Sequence, residues 1–280
     1  MNPLCQTISV VIPTWNRAAM LEQAIQSALS QTLPPLEILV CDDGSTDDSE
    51  QVVSSINDPR VIWVSGEHSG LPAVPRNRGI KLARGEWLAF LDSDDRWLSD
   101  KLSQQLTLAK QLSCDAVCCD AYRLLPGQSD TPKAYIGFTE KRLTFADLLT
   151  INKVICSSVL IKTDLIRNAG GFSESQALVV IEDYALWLRV AVFTDFGVVG
   201  SPLLYYYDDP SQSIRKKSRD AVTQYQTVLA DFCSWSGAYQ YPDLRGFALK
   251  RLANAGCTNV GLVHRLLRRV SQLIRKGSST

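Results

Sequence analysis

Short apolar runs alternate with amphipathic segments through the first 115 residues, and this alternation limits the fold more than any other feature. Residues 8–12 form a run rich in β-branched side chains, and residues 20–29 then space their apolar side chains as on one face of a helix. The same alternation recurs, with strand-like runs at 36–41, 61–64 and 87–91 and helix-like segments at 48–56 and 73–82. It predicts an α/β fold with a parallel sheet and helices on both faces.

The pattern is looser after residue 115. Residues 116–124 and 157–162 are typical of further strands, residues 126–132 of a turn-rich loop, and Gly170-Gly171 of a helix stop. With 280 residues, 45% of them hydrophobic, the chain can bury a full core either as one large domain or as one domain plus an appendage.

Composition favours a cytoplasmic protein. No segment reaches the roughly eighteen apolar residues that a membrane-spanning helix needs, and the first residues lack the basic flank and cleavage site of a secretion signal. The eight cysteines form no C-x-x-C pair, and several lie within apolar runs. We therefore expect them to be reduced and mostly structural.

Three polar clusters directly follow predicted strands, at residues 13–16, 42–45 and 92–95. The carboxyl ends of parallel strands meet at one edge of a sheet, where ligands bind. Asp92, Asp94 and Asp95 offer the oxygen ligands that Mg²⁺ or Mn²⁺ takes together with substrate phosphates. The alternative is that these acids cap the helix expected from Leu98 onward. No G-x-G-x-x-G follows the first strand and no G-x-x-x-x-G-K occurs, which argues against dinucleotide and P-loop enzymes.

Five motifs, in this order and spacing, resemble those of family 2 glycosyltransferases. They are VVIPTWNR at 10–17, DDGSTD at 42–47, RNRG at 76–79, FLDSDD at 90–95 and EDYALWLR at 182–189. The resemblance covers about residues 7–210. It implies a GT-A fold, which is a Rossmann-like, mostly parallel sheet flanked by helices, together with a nucleotide-sugar donor, a divalent cation and inverting transfer. We expect a catalytic domain at 1–215, with a nucleotide-binding half to about 115 and an acceptor half from about 116, and then a C-terminal helical extension at 216–280.

The resemblance assigns the donor to the first strand ends. Asp43 can accept the N3 proton of uracil, although Asp42 and Asp43 also suit a turn. Trp15 can stack on the base or belong to the core. Arg76, favoured over Arg78, can approach ribose or diphosphate oxygens or form a surface ion pair. The donor-binding candidates are Pro13, Thr14, Trp15, Asn16, Asp42, Asp43, Arg76 and Asp92.

The same resemblance assigns the metal to Asp94, with Asp92 nearer the ribose and Asp95 in support. Inverting transfer needs a base within hydrogen-bond reach of the acceptor hydroxyl. Asp183 is the candidate base, and Glu182 is the second choice. Both residues are expected at the N-terminal end of a buried helix, where capping is the alternative role for an acid.

The chain departs from the family pattern in the loop after this helix. Many members carry a His in a Tyr-Arg-x-His sequence there, whereas residues 205–210 read YYYDDP. We expect Asp208, Asp209 or water to replace it. His68 and His264 are interpreted as a loop residue and a surface residue. The basic segment at 213–219 fits a loop closing over the diphosphate as well as it fits a solvated charged run.

Residues 244–280 contain eight Lys or Arg and no Asp or Glu, and apolar residues from 262 to 274 fall on one helical face. Such a helix either lies on the anionic inner face of the plasma membrane or packs on the protein or on a second subunit as a homodimer. A nucleic-acid partner is disfavoured, because Phe247 is the only residue there, besides His264, that could stack on a base.

Together these features predict a metal-dependent inverting glycosyltransferase. It would move a sugar, most simply from a UDP-sugar, to a hydroxyl of a glycan or lipid-linked acceptor in bacterial surface polysaccharide synthesis. The alternative is a catalytically silent scaffold that binds sugar nucleotides within an assembly complex.

Overall fold

The computed structural model describes residues 6–126, 133–209 and 221–238. The basic segments at 213–219 and 244–280, and almost all of the predicted loop at 126–132, lie outside these ranges. Nine strands form one sheet in the order β3-β2-β1-β4-β8-β6-β9-β5, with β7 paired to β9. The strands are β1 (Ile8–Thr14), β2 (Glu37–Asp42), β3 (Val61–Val64), β4 (Trp87–Phe90), β5 (Arg96–Trp97), β6 (Ala116–Leu124), β7 (Arg142–Leu143), β8 (Leu160–Lys162) and β9 (Phe196–Tyr207).

The sheet is mixed, because four of its eight strand pairings are parallel and four are antiparallel. β1 pairs in parallel with β2 and β4, β2 pairs in parallel with β3, and β6 pairs in parallel with β9. β8 joins these two groups by antiparallel pairing with both β4 and β6. β6 and β9 therefore run in the same direction as β1 to β4, and the carboxyl ends of all six strands lie at one edge.

Helices cover both faces of the sheet, as predicted. Those in the described ranges are α1 (Ala18–Leu29), α2 (Ser49–Ser55), α3 (Ala73–Leu82), α4 (Lys101–Leu112), α5 (Phe145–Leu148), α6 (Thr163–Asn168), α7 (Glu182–Val190) and α8 (Ala221–Ala238). Two hydrophobic clusters result. One contains buried residues of α1, α2 and α4, and the other contains buried residues of α3 and α5 to α8.

Alternation along β1 explains the two clusters. Successive side chains of a strand point to opposite faces, so Val10 and Ile12 belong to the cluster of α1 while Val11 belongs to that of α3. A Cβ at Gly79 would lie 2.5 Å from a Val11 methyl carbon, which shows how closely α3 packs on β1. This contact places the start of α3, with Arg76, at the functional edge of the sheet.

A buried turn at Cys156–Ser158 supports the acidic motif that follows β4. The Ser157 hydroxyl accepts a hydrogen bond from the Asp92 backbone N–H at 3.0 Å. Trp97 Nε1 donates to the Ser157 carbonyl at 2.9 Å, and Gln105 Nε2 donates to the Ser158 carbonyl at 2.7 Å. Side chains of β5 and α4 therefore hold the turn that positions the acidic motif.

Helix α8 packs against α5 and α7. Val228 and Leu229 are fully buried, and the rings of Phe145 and Phe232 lie 5.3 Å apart. Tyr225 donates its hydroxyl hydrogen to a carbonyl at the end of α5, that of Leu149, at 2.7 Å. Within the described ranges, no helix has both the length and the apolar character required to cross a bilayer.

Candidate active site

A cavity of about 570 Å³ opens at the edge where the parallel strands end. Residues that follow β1, β2 and β4 line one side of it, and residues from 135–136, 152–156, 180–183 and 206–209 line the other. All but three of the site residues predicted from the sequence lie in its wall; the three outside it are Asn16, Asp42 and Asp95.

Trp15 lines the cavity and is not a core residue, since 48% of it is exposed. Its ring stacks on that of His68, with centroids 4.5 Å apart and an interplanar angle of 21°. His68 Nδ1 also lies 2.9 Å from the backbone oxygen of Asp43 and 3.1 Å from its carboxylate. The sequence interpretation of His68 as a plain loop residue missed this place in the cavity wall, because no local pattern joins it to either partner.

Asp43 lies in the wall with its carboxylate buried and oriented by a neighbouring loop. Ser69 donates from its backbone N–H and its hydroxyl, at 3.1 and 2.6 Å, and Gly70 donates from its backbone N–H at 3.0 Å. A carboxylate has about four acceptor positions. These three bonds, together with the contact of His68 Nδ1 at 3.1 Å, fix the orientation of the carboxylate.

Asp42 and Asn16 shape the loops around the cavity. The Asp42 carboxylate accepts hydrogen bonds from the backbone N–H groups of Gly44 and Ser45, at 2.9 and 3.0 Å, which is the turn role considered as the alternative. Asn16 accepts from the Thr46 backbone N–H at 2.8 Å. These bonds join the loop after β1 to the loop after β2.

Arg76 links two acidic residues that are far apart in the chain. Its Nη2 donates to Asp92 and its Nη1 donates to Glu182, each at 2.7 Å. Burial disfavours the charge of this guanidinium, but the two carboxylates outweigh burial and hold its pKa above the ordinary value. Arg78 instead donates to the Asp42 carbonyl. Arg76 is therefore a permanent cation in the cavity wall.

Asp94 is half-buried and lines the cavity. Burial raises the pKa of its carboxyl to about 6, the charge of Asp92 adds to the rise, and Arg17 and Arg76 oppose it. The N-cap position of α4 is Asp100, so the acidic motif does not cap that helix. The capping alternative is therefore wrong for this motif.

Asp95 is buried behind the cavity wall. It accepts a hydrogen bond from the Tyr207 backbone N–H at 2.9 Å, and burial, followed by the charges of Asp94 and Asp92, raises its pKa. Its second oxygen has no hydrogen-bond partner among the described residues. Asp95 thus joins the acidic motif to the end of β9.

The donor set fits a cation that substrate also ligates. Within the ranges that the structure describes, no group of three or more His, Cys, Asp or Glu side chains is placed to hold a metal ion alone. Asp92 and Asp94 nevertheless offer two carboxylates in the cavity, and the repulsion between them would be relieved by a cation. Mg²⁺ is commonly bound by one or two carboxylates together with substrate phosphates.

Asp183 and Glu182 begin α7 as predicted, and both line the cavity. Val180, in the turn before the helix, has a φ of +80°, which is rare for a β-branched residue and marks local strain at the cavity wall. Glu182 is committed to Arg76, whereas Asp183 accepts from its neighbour's backbone N–H, that of Tyr184, at 2.6 Å.

Comparisons with known proteins agree with this geometry. The model of the family "Glycosyl transferase family 2" matches residues 9–168. The chain is 32% identical over 195 residues to the putative teichuronic acid biosynthesis glycosyltransferase TuaG of Bacillus subtilis, covering 68% of this chain and 75% of that protein. It is 30% identical over 226 residues to the Escherichia coli UDP-Glc:alpha-D-GlcNAc-diphosphoundecaprenol beta-1,3-glucosyltransferase WfgD, covering 80% of this chain and 86% of that protein.

The fold is similar to that of a solved structure. The crystal structure of S. aureus TarS 1-349 in complex with UDP-GlcNAc superposes with a TM-score of 0.69 at 19% identity, covering 89% of this chain and 71% of that chain. This similarity confirms the predicted GT-A arrangement.

Proposed function

Because the chain belongs to glycosyl transferase family 2, we propose that it transfers a sugar from a UDP-sugar to a hydroxyl of a glycan or lipid-linked glycan. One observation carries the proposal: a single cavity is lined by the exposed Trp15 and by the carboxylates of Asp43, Asp92, Asp94 and Asp183. The names of WfgD and TuaG favour a UDP-linked donor, a diphosphate-linked acceptor and a role in bacterial surface polysaccharide synthesis.

The first step is recognition of the nucleotide. The Trp15 ring stacks on the base, and the Asp43 carboxylate accepts the N3 proton of uracil. Cytosine presents a lone pair at N3 and would leave this buried carboxylate facing an acceptor, so CDP binds poorly. Backbone groups of Pro13 and Thr14 hydrogen-bond the rim of the base.

The second step is stabilisation of the leaving group. Asp94, with Asp92 beside it, would hold a divalent cation, which when bound neutralises the charge that develops on the departing diphosphate. Arg17 and Arg76 add fixed positive charge to the same wall. Arg76 also keeps Asp92 in place through its hydrogen bond.

The third step is activation of the acceptor. Its hydroxyl oxygen attacks the anomeric carbon, the bond to the diphosphate breaks, and Asp183 takes the hydroxyl proton. Glu182 is unsuited to this role, because its carboxylate is paired with Arg76. Attack from the face opposite the diphosphate inverts the anomeric carbon. We assign residues up to about 115 to the donor and 116–215 to the acceptor.

Calorimetry tests the donor site directly. UDP, GDP, CDP and dTDP are titrated with Mn²⁺ or with EDTA into the wild type, Asp94→Ala and Asp164→Ala. Asp164 is a matched control because its side chain is 93% exposed on α6. We expect UDP and dTDP to bind with Mn²⁺, Asp94→Ala to abolish that binding, and Asp164→Ala to retain it. Binding that is indifferent to the metal and to Asp94 contradicts the proposal.

The base is tested separately. Asp183→Asn should bind UDP with Mn²⁺ as the wild type does but transfer sugar at least about a hundredfold more slowly, because general-base catalysis contributes about that much. Retention of transfer by Asp183→Asn, together with its loss in Glu182→Gln, would move the base to Glu182. The anomeric configuration of the product, read by NMR, tests inversion.

A further inference from the structure

Two tyrosines in the cavity wall are not used by the transfer steps. The rings of Tyr135 and Tyr206 are nearly parallel, with an interplanar angle of 16° and centroids 5.7 Å apart, and both line the cavity. Fully overlapping rings would approach to about 3.5–4 Å, so each ring leaves part of its face uncovered. Tyr135 is 38% exposed. We propose that Tyr135 and Tyr206 form an aromatic platform that binds a pyranose ring of the acceptor glycan.

The loop that carries Tyr135 is held by a buried carboxylate. Asp120, on β6, is fully buried and accepts hydrogen bonds from the backbone N–H groups of Ile136 at 2.9 Å and Gly137 at 2.7 Å. The Tyr135 backbone N–H donates to the Ala121 carbonyl at 2.8 Å. These bonds fix the backbone on both sides of the ring. A fixed aromatic surface loses little conformational freedom when a ligand binds.

An ion pair holds the ring itself. The Arg123 guanidinium carbon lies 5.2 Å from the centroid of Tyr135, and Arg123 is paired with the carboxylate of Asp208. Asp208 follows β9, the strand that carries Tyr206. The two rings are thus tied to adjacent strands, β6 and β9, so their relative position is set by the sheet.

The position in the sheet assigns the platform to the acceptor. β9 lies five strand spacings from β2, which amounts to at most about 24 Å at 4.8 Å a strand. The proposed nucleotide contacts, Trp15 and Asp43, follow β1 and β2, and the acidic motif follows β4 between the two ends. The platform therefore lies beyond the reacting centre as seen from the nucleotide. This inference rests on the proposed function, since it takes the donor end as given.

The chemistry of the wall matches a sugar ring. A pyranose has an apolar face of C–H groups and a rim of hydroxyls, which requires an aromatic surface with polar groups around it. Asn152, Lys153 and Asp209 also line the cavity and are polar, as the rim of such a site requires. A bare lipid chain has no hydroxyl groups to meet polar side chains, so a glycan fits better.

Saturation-transfer NMR with methyl glycosides of glucose, galactose and N-acetylglucosamine, in the presence of UDP and Mn²⁺, tests the platform. The variants are Tyr135→Ala, Tyr206→Ala, the ring-retaining Tyr135→Phe and the control Phe193→Ala. Phe193 is also 38% exposed but lies outside the cavity wall. We expect at least one glycoside to bind the wild type. Each alanine substitution removes about 1 kcal/mol of aromatic contact, so we expect each alanine variant to bind the glycoside about fivefold more weakly than the wild type.

The conservative variants separate the platform from a structural role. Tyr135→Phe and Phe193→Ala should bind the glycoside as the wild type does, because the platform uses the ring face. The proposal is overturned if no glycoside binds the wild type, or if both alanine variants bind it unchanged. UDP calorimetry on the same variants reports on the proposed function. Normal UDP binding with unaltered glycoside affinity in the alanine variants refutes only the platform, whereas absent UDP binding in the wild type refutes the donor site.

Discussion

Replacement of the buried Lys101 by Met should stabilise the protein more at neutral than at alkaline pH. Lys101 begins α4 and is fully buried. Its Nζ donates to Gln105 Oε1 at 2.7 Å and lies 4.2 Å from the centroid of the Trp97 ring. Burial lowers the pKa of this ammonium group from 10.5 to about 8. The charged form of Lys101 is therefore less favourable in the folded chain than in the unfolded chain, where water solvates it.

The sign of the effect follows from proton binding. Between about pH 8 and pH 10.5 the unfolded chain holds the Lys101 proton more tightly than the folded chain, so stability rises with pH in this window. Below about pH 8 Lys101 is charged in both states, so the free-energy cost of burying the charge no longer changes with pH. The difference between the two pKa values sets this cost at about 3 kcal/mol. Integrated from about pH 7.5 to pH 9.5, the wild type should gain about 2 kcal/mol relative to Lys101→Met, which has no charge to lose.

Urea denaturation followed by circular dichroism measures this change. The wild type, Lys101→Met and Lys110→Met are compared at about pH 7.5 and pH 9.5. Lys110 is the matched control because it is an exposed lysine on the same helix. Subtracting the wild type from each variant cancels other groups that titrate in this range, including the buried cysteines. A difference between Lys101→Met and the wild type that does not vary with pH would refute the reasoning.

Three further changes test the packing and the site. Gly85→Ala would place a Cβ 2.5 Å from the Ser9 backbone nitrogen, so we expect a loss of about 3 kcal/mol in urea denaturation, and a loss below about 0.5 would contradict the contact. Burial acts to raise the pKa of Glu37, but hydrogen bonds from Ser9 and Arg84 outweigh it and hold that pKa low. Stability from Glu37 is therefore present near neutral pH and is lost as pH falls through its pKa. Glu37→Gln should cost about 1–3 kcal/mol near pH 7 and less in acid, and a cost independent of pH would contradict the pairing. Ser157→Ala removes the hydroxyl that holds the acidic motif, so the affinity for UDP with Mn²⁺ should fall about tenfold in calorimetry, and unchanged affinity would show that the turn does not position the motif.

The local sequence pattern was sufficient to predict the positions of most strands in the sheet. The predicted strands at 61–64 and 116–124 coincide with β3 and β6, and that at 8–12 falls within β1. Buried strands are short and apolar and are bounded by polar turns, so their signal lies within a few residues. The start of α7 at Glu182 was predicted for the same reason, because the acids directly precede an apolar helical face.

Contacts between residues far apart in the sequence could not be predicted from such local patterns. Arg76 pairs with Glu182 across 106 positions, and Asp120 bonds to residues 136 and 137. His68 joins the cavity only because its loop folds back over Trp15 and Asp43. The competing roles of Asp42 also depend on the turn actually adopted, since Asp suits turns and ligand contacts equally.

The bond of Arg76 to both Asp92 and Glu182 has a kinetic consequence. In the proposed function Asp92 contacts the donor, and Glu182 begins the helix that carries Asp183. Because Arg76 bonds to both, we expect a nucleotide bound beside Asp92 to influence the first turn of α7 through this guanidinium. On the proposed function, we therefore expect the binding of the two substrates to be coupled through this single side chain. We expect compulsory-order kinetics in which the sugar nucleotide enters first and the nucleoside diphosphate leaves last.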